Sequence, residues 1–415
     1  MRFSRVNIVT CILAAAIMTL PSAVLGASSH GAQGKEWTIM LYYCADNNLE
    51  FAAEFNLMTI EGALTSNDNV NFIFLEDFNS VPGITIYEIV GGKRKVIAAW
   101  EEKNTSDPAV LKEFALYGMK NFPAEKTMLI ISDHGYGWRG ACEDYTDGDW
   151  LMTVDGLAGA LKEIQAKSKR GGIDILAFDA CSMATVEVVY ELRGTVPYLI
   201  ATQSTEPYDG FPYQMFVSDL VEDPGMSPLE LATLLPYEYV LYYSSKWEYD
   251  HIYNYCQDFV TMASIDMSKV DALGEAFVTM TEVLEGLVPE HWEALEEARG
   301  EAFMGVWCNI VAGYEWMPDA YTLFDELKGI DPELDESIDA FESAFDQAII
   351  AEANSERLGD KAQGLNIWFP PSLFLYNPES WSWLGQFVYH DIGLDLVAES
   401  SWVDCLMAYY ECKDS

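Results

Sequence analysis

Residues 175–183 read ILAFDACSM, and residues 129–138 read LIISDHGYGW. In both, a short apolar run ends on an aspartate, and small or reactive residues follow. Apolar runs of this length bounded by polar breaks are typical of strands buried on both faces, as in a parallel sheet. The same pattern recurs upstream at Trp37–Cys44 (WTIMLYYC) and at Val70–Phe78 (VNFIFLEDF). Leu49–Leu64, Ala109–Met119 and Leu157–Ala166 carry apolar positions at helical spacing between these strands. Ile84–Val90 and Lys95–Trp100 flank Gly91-Gly92, the turn chemistry of a hairpin. The alternation predicts an α/β fold whose mostly parallel sheet has helices on both faces. Beyond Pro236 the pattern is mixed. Leu273–Leu287 and Leu334–Ala351 predict helices, and Gly364–Phe369 (GLNIWF) predicts a further strand stopped by Pro370-Pro371. The expected division is a core at 35–235 and a mixed α/β C-terminal region at 236–415 that partly completes the core sheet.

Composition narrows the function. The chain has 415 residues, half of them apolar and 13% aromatic, enough for a large core. Its 66 acidic and 23 basic side chains give a formal charge of −43, which repels phosphate backbones and disfavours nucleic-acid ligands. Arg2 and Arg5, the apolar run Ile8–Leu20 and the small residues around Gly26 predict a signal peptide over residues 1–26. The mature product is therefore expected outside the cell, with no stable membrane anchor. Export permits disulfides, but no pairing among the cysteines is readable from spacing.

Two residues stand where chemistry is expected. In parallel sheets, ligands bind at the carboxyl ends of strands, and His134 and Cys181 each follow such an end. A thiolate is a strong nucleophile and imidazole titrates near neutrality, so together they supply an attacking group and a proton carrier. The backbone N–H groups of Gly135 and Cys181 are candidates for holding an oxyanion. Asp179 lies two positions before Cys181, so in extended chain both side chains face one way. It either pairs with a cationic substrate side chain or caps a helix starting near Ser182. Asp133, adjacent to His134, should point to the opposite face and is a poor partner for it.

The segments WTIMLYYCADNNLE (37–50), SDHGYGWRG (132–140), FDACSMATVEVVYELR (178–193), TEPYDGFPY (205–213) and GLNIWFP (364–370) resemble, in order, those of the clostripain family of cysteine peptidases. That resemblance implies a caspase-like fold and a Cys-His dyad, with His134 as base and Cys181 as nucleophile. It implies polypeptide substrates cleaved after Arg or Lys, with Asp179 and Asp209 lining the pocket and Glu206 a weaker choice. No cofactor pattern is present. Calcium, which some family members require, is the one candidate, and it points to Glu143, Asp144, Asp147 and Asp149. These lack the spacing of an EF-hand, so a solvated loop is expected there and no metal ligands are assigned. The rival readings are a catalytically silent exported binding module and a transpeptidase on the same fold.

Overall fold

A computed structural model describes residues 34–66, 69–146, 151–245, 259–303, 316–376 and 388–415. The segment expected to be a signal peptide lies outside them. The described residues build a nine-stranded sheet in the order β4-β3-β2-β1-β5-β6-β7-β8-β9. Its strands are β1 (Lys35–Ala45), β2 (Val70–Phe78), β3 (Val81–Val90), β4 (Lys93–Ala99), β5 (Ala124–Ser132), β6 (Ile175–Asp179), β7 (Tyr198–Ala201), β8 (Thr261–Asp266) and β9 (Ile349–Asn354). From β2 to β7 every neighbour is parallel, while β3, β4, β8 and β9 add antiparallel flanks. The helices are α1 (Glu50–Ala63), α2 (Pro108–Asn121), α3 (Val154–Lys167), α4 (Val186–Glu191), α5 (Tyr213–Glu222) and α6 (Pro228–Ser245). They continue with α7 (Val270–Glu301), α8 (Ala320–Asp325), α9 (Pro332–Ala348), α10 (Leu373–Tyr376), α11 (Asp395–Glu399) and α12 (Trp402–Lys413).

The alternation in β1 shows why the sheet is covered twice. Met40, Tyr42 and Cys44 pack into one core with residues of α2, α3, α4, α7, α9 and α12. Trp37, Ile39, Leu41 and Tyr43 pack into a second core with α1, α5 and α6. A strand whose odd and even side chains are both apolar can sit only between two layers. Helix ends are set locally. Asp107 caps α2 by accepting the Ala109 N–H at 2.8 Å, with Pro108 in the first turn. Asp331 and Pro332 repeat the device at α9. The β3–β4 hairpin turns on Gly91 and Gly92, whose φ values of 56° and 70° suit a primed turn.

Two expectations need correcting. The helix expected through Ala351 ends at Ala348, and Ile349–Asn354 becomes edge strand β9. GLNIWF joins no ladder of the sheet: only Asn366 makes isolated bridges, to Thr185 and Asp319. The segment's backbone is bonded instead to two non-strand segments, Asn366 to Ala184 and Val186 on one side and Leu365, Ile367 and Phe369 to Ala320, Pro318 and Trp316 on the other, while the buried Asn366 side chain bonds to Gln203. Pro236 lies within α6.

Candidate active site

The carboxyl ends of β1, β5 and β6 are in register: Tyr43 pairs with Ser132, and Ser132 with Asp179. The residues that follow each strand therefore meet at one rim. Gly135 and Cys181 are packed so closely there that a Cβ on Gly135 would stand 2.3 Å from the Cys181 carbonyl oxygen and 3.0 Å from its nitrogen. No side chain fits that gap. His134 and Cys181, 47 positions apart in sequence, are thus brought to adjacent strand ends. The chain leaves Cys181 through Ser182, which has a φ of 57°, a left-handed conformation that costs a non-glycine residue energy.

Each side chain has identifiable company. His134 Nε2 lies 2.9 Å from Asn48 Oδ1, in the loop after β1. Tyr145 donates to the same Asn48 oxygen at 3.1 Å. Cys181 Sγ accepts the Glu206 N–H at 3.3 Å. Burial pushes the His134 imidazole down to about 4 and the Cys181 thiol up to about 12. At neutral pH the resting pair is therefore uncharged imidazole and uncharged thiol. Asp133 turns away from the pair, as expected: it accepts from Asn47 Nδ2 at 2.7 Å and from the Glu143 N–H at 2.5 Å.

Beside Cys181 lies a cluster of acidic side chains walled by aromatic rings. Asp179 is buried and accepts from Tyr213 Oη at 2.5 Å, Ser132 Oγ at 3.0 Å and the Phe211 N–H at 3.0 Å. Desolvation raises its carboxyl in spite of these donors. The helix-cap alternative fails here. Helix α4 starts at Val186, and Thr185 caps it through the Val188 N–H. Glu206 brings two buried carboxylate oxygens beside the Tyr239 hydroxyl and the Asp179 carboxylate. Burial and the Asp179 charge push the Glu206 carboxyl well above the usual range. Asp209 sits half-buried at the edge, 3.4 Å from Tyr242 Oη, next to the Gly210 backbone that packs on the Asp179 carboxylate.

Sequence reasoning missed Asn48 and undervalued Glu206. Asn48 had a signal: it follows β1 as His134 follows β5 and Cys181 follows β6. The expected acidic stretch is not one cluster. Glu143 accepts a hydrogen bond from Tyr136 Oη, whereas Asp144 joins Asp46 and Asp77, and Asp147 and Asp149 lie outside the described residues. Asp46, Asp77 and Asp144 each place a carboxylate oxygen within 4.8 Å of the others, all buried. One Asp77 oxygen has no partner, and burial pushes that carboxyl up to about 8. An all-carboxylate set of this kind suits a hard cation such as calcium.

Comparison with known proteins gives the family and the fold. The family model of the clostripain family matches residues 41–379. Clostripain of Hathewaya histolytica is 29% identical over 203 residues, which cover 40% of this chain and 38% of that protein's length. The chain thus aligns with less than half of that relative. A secreted C11 cysteine protease from Bacteroides thetaiotaomicron, solved with an irreversible peptide inhibitor, superposes with a TM-score of 0.65 at 20% identity. An inactive zymogen C11 protease from Parabacteroides distasonis gives 0.64, also at 20% identity. Each superposition covers 89% of this chain and 99% of the other. The two share its fold. The chain belongs to the clostripain family of cysteine peptidases.

Proposed function

We propose, with membership of the clostripain family as the premise, that this chain is an exported cysteine endopeptidase cleaving polypeptides after Arg or Lys. The observation that carries the reading is the packing of the His134–Gly135 segment onto Cys181 at the shared strand rim, beside the two buried carboxylates of Asp179 and Glu206. A guanidinium or ammonium group admitted to a P1 recess there would meet both carboxylates in a low-dielectric wall of tyrosines, where a charge pair is strong. Asp209 would complete the edge. The export reading rests on the sequence pattern of residues 1–26.

The chemistry follows from the protonation states. Asn48 offers an acceptor oxygen to His134 Nε2, so that nitrogen carries the ring proton and Nδ1 is left as the base. As Cys181 Sγ attacks the carbonyl carbon, its proton passes to Nδ1. Transfer accompanies attack, because neither partner is charged beforehand. The Gly135 and Cys181 N–H groups stabilise the developing oxyanion. The imidazolium then protonates the leaving amine, the C–N bond breaks, and water hydrolyses the thioester with His134 again as base. The carboxylates that would hold calcium are Asp46, Asp77 and Asp144, where the ion would neutralise their mutual repulsion and tie the end of β2 to the segments after β1 and after His134. They stand apart from the bonds that change.

The test is an assay of the mature protein on peptides that differ only in P1 residue: Arg, Lys, Asn or Asp. Turnover of the Arg and Lys peptides, lost in Cys181→Ala and in His134→Ala with the fold retained, is the expected result. Modification of a cysteine other than Cys181 by an Arg-bearing affinity label, with loss of activity, would overturn the assignment.

A further inference from the structure

One pair of buried nucleophiles takes no part in the proposed chemistry. Cys44, at the end of β1, and Cys142, in the loop that follows His134, bring their sulfurs to 3.0 Å. Both residues are fully buried. That separation is outside a bond of about 2.05 Å, yet far closer than chance brings two cysteines 98 positions apart. We infer that Cys44 and Cys142 form a disulfide in the exported enzyme, and that this cross-link holds the loop carrying His134 against the end of β1. The inference rests on the export reading and, for its consequence, on His134 as base.

The pair is placed to do this. The Cys142 N–H donates to the His134 carbonyl at 3.2 Å. Across the contact, Asn47 Nδ2 bonds to the Cys44 carbonyl at 3.2 Å, the Glu143 carbonyl at 2.9 Å and Asp133 at 2.7 Å. The next residue is Asn48, which holds the imidazole. A bond between the two sulfurs would therefore pin both segments that fix the orientation of His134. Asp133 is the third group near the sulfurs, which raises metal binding as the competing use. Three ligands fall short of the four of a structural zinc site, and both Asp133 oxygens are already taken by Asn47 and Glu143.

The chemistry balances as thiol–disulfide exchange with a disulfide oxidant, R′S–SR′. The thiolate of one cysteine attacks a sulfur of the oxidant, releasing R′S⁻ and leaving a mixed disulfide. The second thiolate attacks that cysteine's sulfur and expels the other R′S⁻. Two cysteine protons end on two R′SH, and the two electrons reduce the oxidant. Because both sulfurs are covered in the folded chain, the exchange belongs to folding after export. Once packed, the bond is shielded from reductants.

The experiment uses the full mature chain carrying Cys181→Ala, so that the partly buried nucleophile cannot form mixed disulfides. The protein is refolded in oxidised and reduced glutathione, unfolded in urea without reductant, alkylated and digested. The expected result is a peptide pair joined through Cys44 and Cys142, about 2 Da lighter than the reduced pair for the two hydrogens lost. The folded protein should then lose roughly 4–8 °C of thermal midpoint when reduced after opening in mild denaturant. The Cys44→Ala/Cys142→Ala double variant should show no such dependence on reductant. Full alkylation of both cysteines in the oxidised sample would overturn the inference, as would zinc retained stoichiometrically by the wild type and lost in the double variant. Neither outcome depends on turnover, so this test can fail while the peptidase reading stands.

Discussion

Two aromatic clusters in this molecule are equally dry but serve different ends. Between α7, α8, α9 and α12, the rings of Phe277, Phe324, Phe341 and Trp402 pack with centroids 5.4 to 6.2 Å apart. On the other side of the sheet, Phe211, Tyr213, Tyr239 and Tyr243 are as deeply buried, with Tyr239 and Tyr243 at 4.9 Å. The first cluster is made of hydrocarbon and indole rings, and its worth is area removed from water. The second closes phenols over Asp179 and Glu206, so its rings desolvate carboxylates that in water would be cheap to ionise. Ring packing removes apolar area from water in one place and desolvates carboxylates in the other.

The largest expected effect tests that division directly. Asp179→Asn keeps volume and removes charge, leaving a P1 cation facing the recess with one counter-charge fewer. Breaking one side of a buried pair costs about 3–5 kcal/mol, so kcat/KM on an Arg peptide should fall by at least ~100-fold. The thermal midpoint should hold or rise, because a desolvated carboxylate has been neutralised. Phe341→Ala should do the reverse: a loss of about 3–5 kcal/mol of unfolding free energy with P1 selectivity of the folded enzyme unchanged. Steady-state kinetics and denaturant titration on both variants check the pair. Arg kinetics within threefold of wild type in Asp179→Asn would remove the carboxylate from recognition.

A smaller effect is expected at Asn48, which acts through His134 and not on substrate. Asn48→Ala should lower kcat by ~10- to 100-fold with KM nearly constant, the worth of one hydrogen bond that steadies a transiently charged ring. The pH profile separates this from a structural loss. Burial pushes His134 down to about 4, so the imidazole stays a neutral base down to that pH, and kcat at saturating substrate should show no imidazole limb between pH 5 and 8. Without Asn48 the ring gains access to water and its acid limb should move up toward 6.5, so that activity at pH 5 falls more than at pH 8. An unshifted limb, or full recovery of rate in Asn48→Ala, would reduce Asn48 to a loop residue.

What the sequence revealed and what it hid divide by the range of the interactions. The parallel strands of the central sheet, the hairpin and most helices write themselves as local periodicity, and the rule that sites form at strand ends led to His134 and Cys181. Strand β7 is four residues long, too short to stand out, and β8 and β9 are recognisable only from their partners. GLNIWF has strand composition, but its backbone bonds to the segments at 184–186 and 316–320, which are not strands of the sheet. Glu206 looked like turn chemistry because Tyr239 and Tyr243, which bury it, lie on α6 more than thirty residues later. Asn48 and His134 are 86 positions apart, and nothing in either segment names the other. Pairings of that span are properties of the fold, not of the window.

The smallest change tests whether the recess acts on its own chain. Relatives in the family are often cut between the catalytic residues, and an enzyme specific for Arg or Lys needs a basic residue there. The loop from Glu143 to Asp149 has none. The end of α3 and the turn to β6 have three, and Lys167, Lys169 and Arg170 are all exposed. They are not equivalent. Arg170 is tied to the Glu125 and Gly172 carbonyls, to Thr127 and to Asp174, so presenting it would break a network. Lys167 is held only by an exposed ion pair to Glu163 on its own helix, worth little in water. Lys169 follows the helix end, in the polar, Gly-flanked composition that proteases nick. Any self-cleavage should therefore fall after Lys169 or Lys167 before Arg170, and Cys181→Ala protein should stay one chain. Intact-mass analysis of both proteins decides it. A fully active, uncut wild type would show that this turn is only a charged helix end, and fragments ending at Asp147 or Asp149 would contradict specificity for basic residues itself.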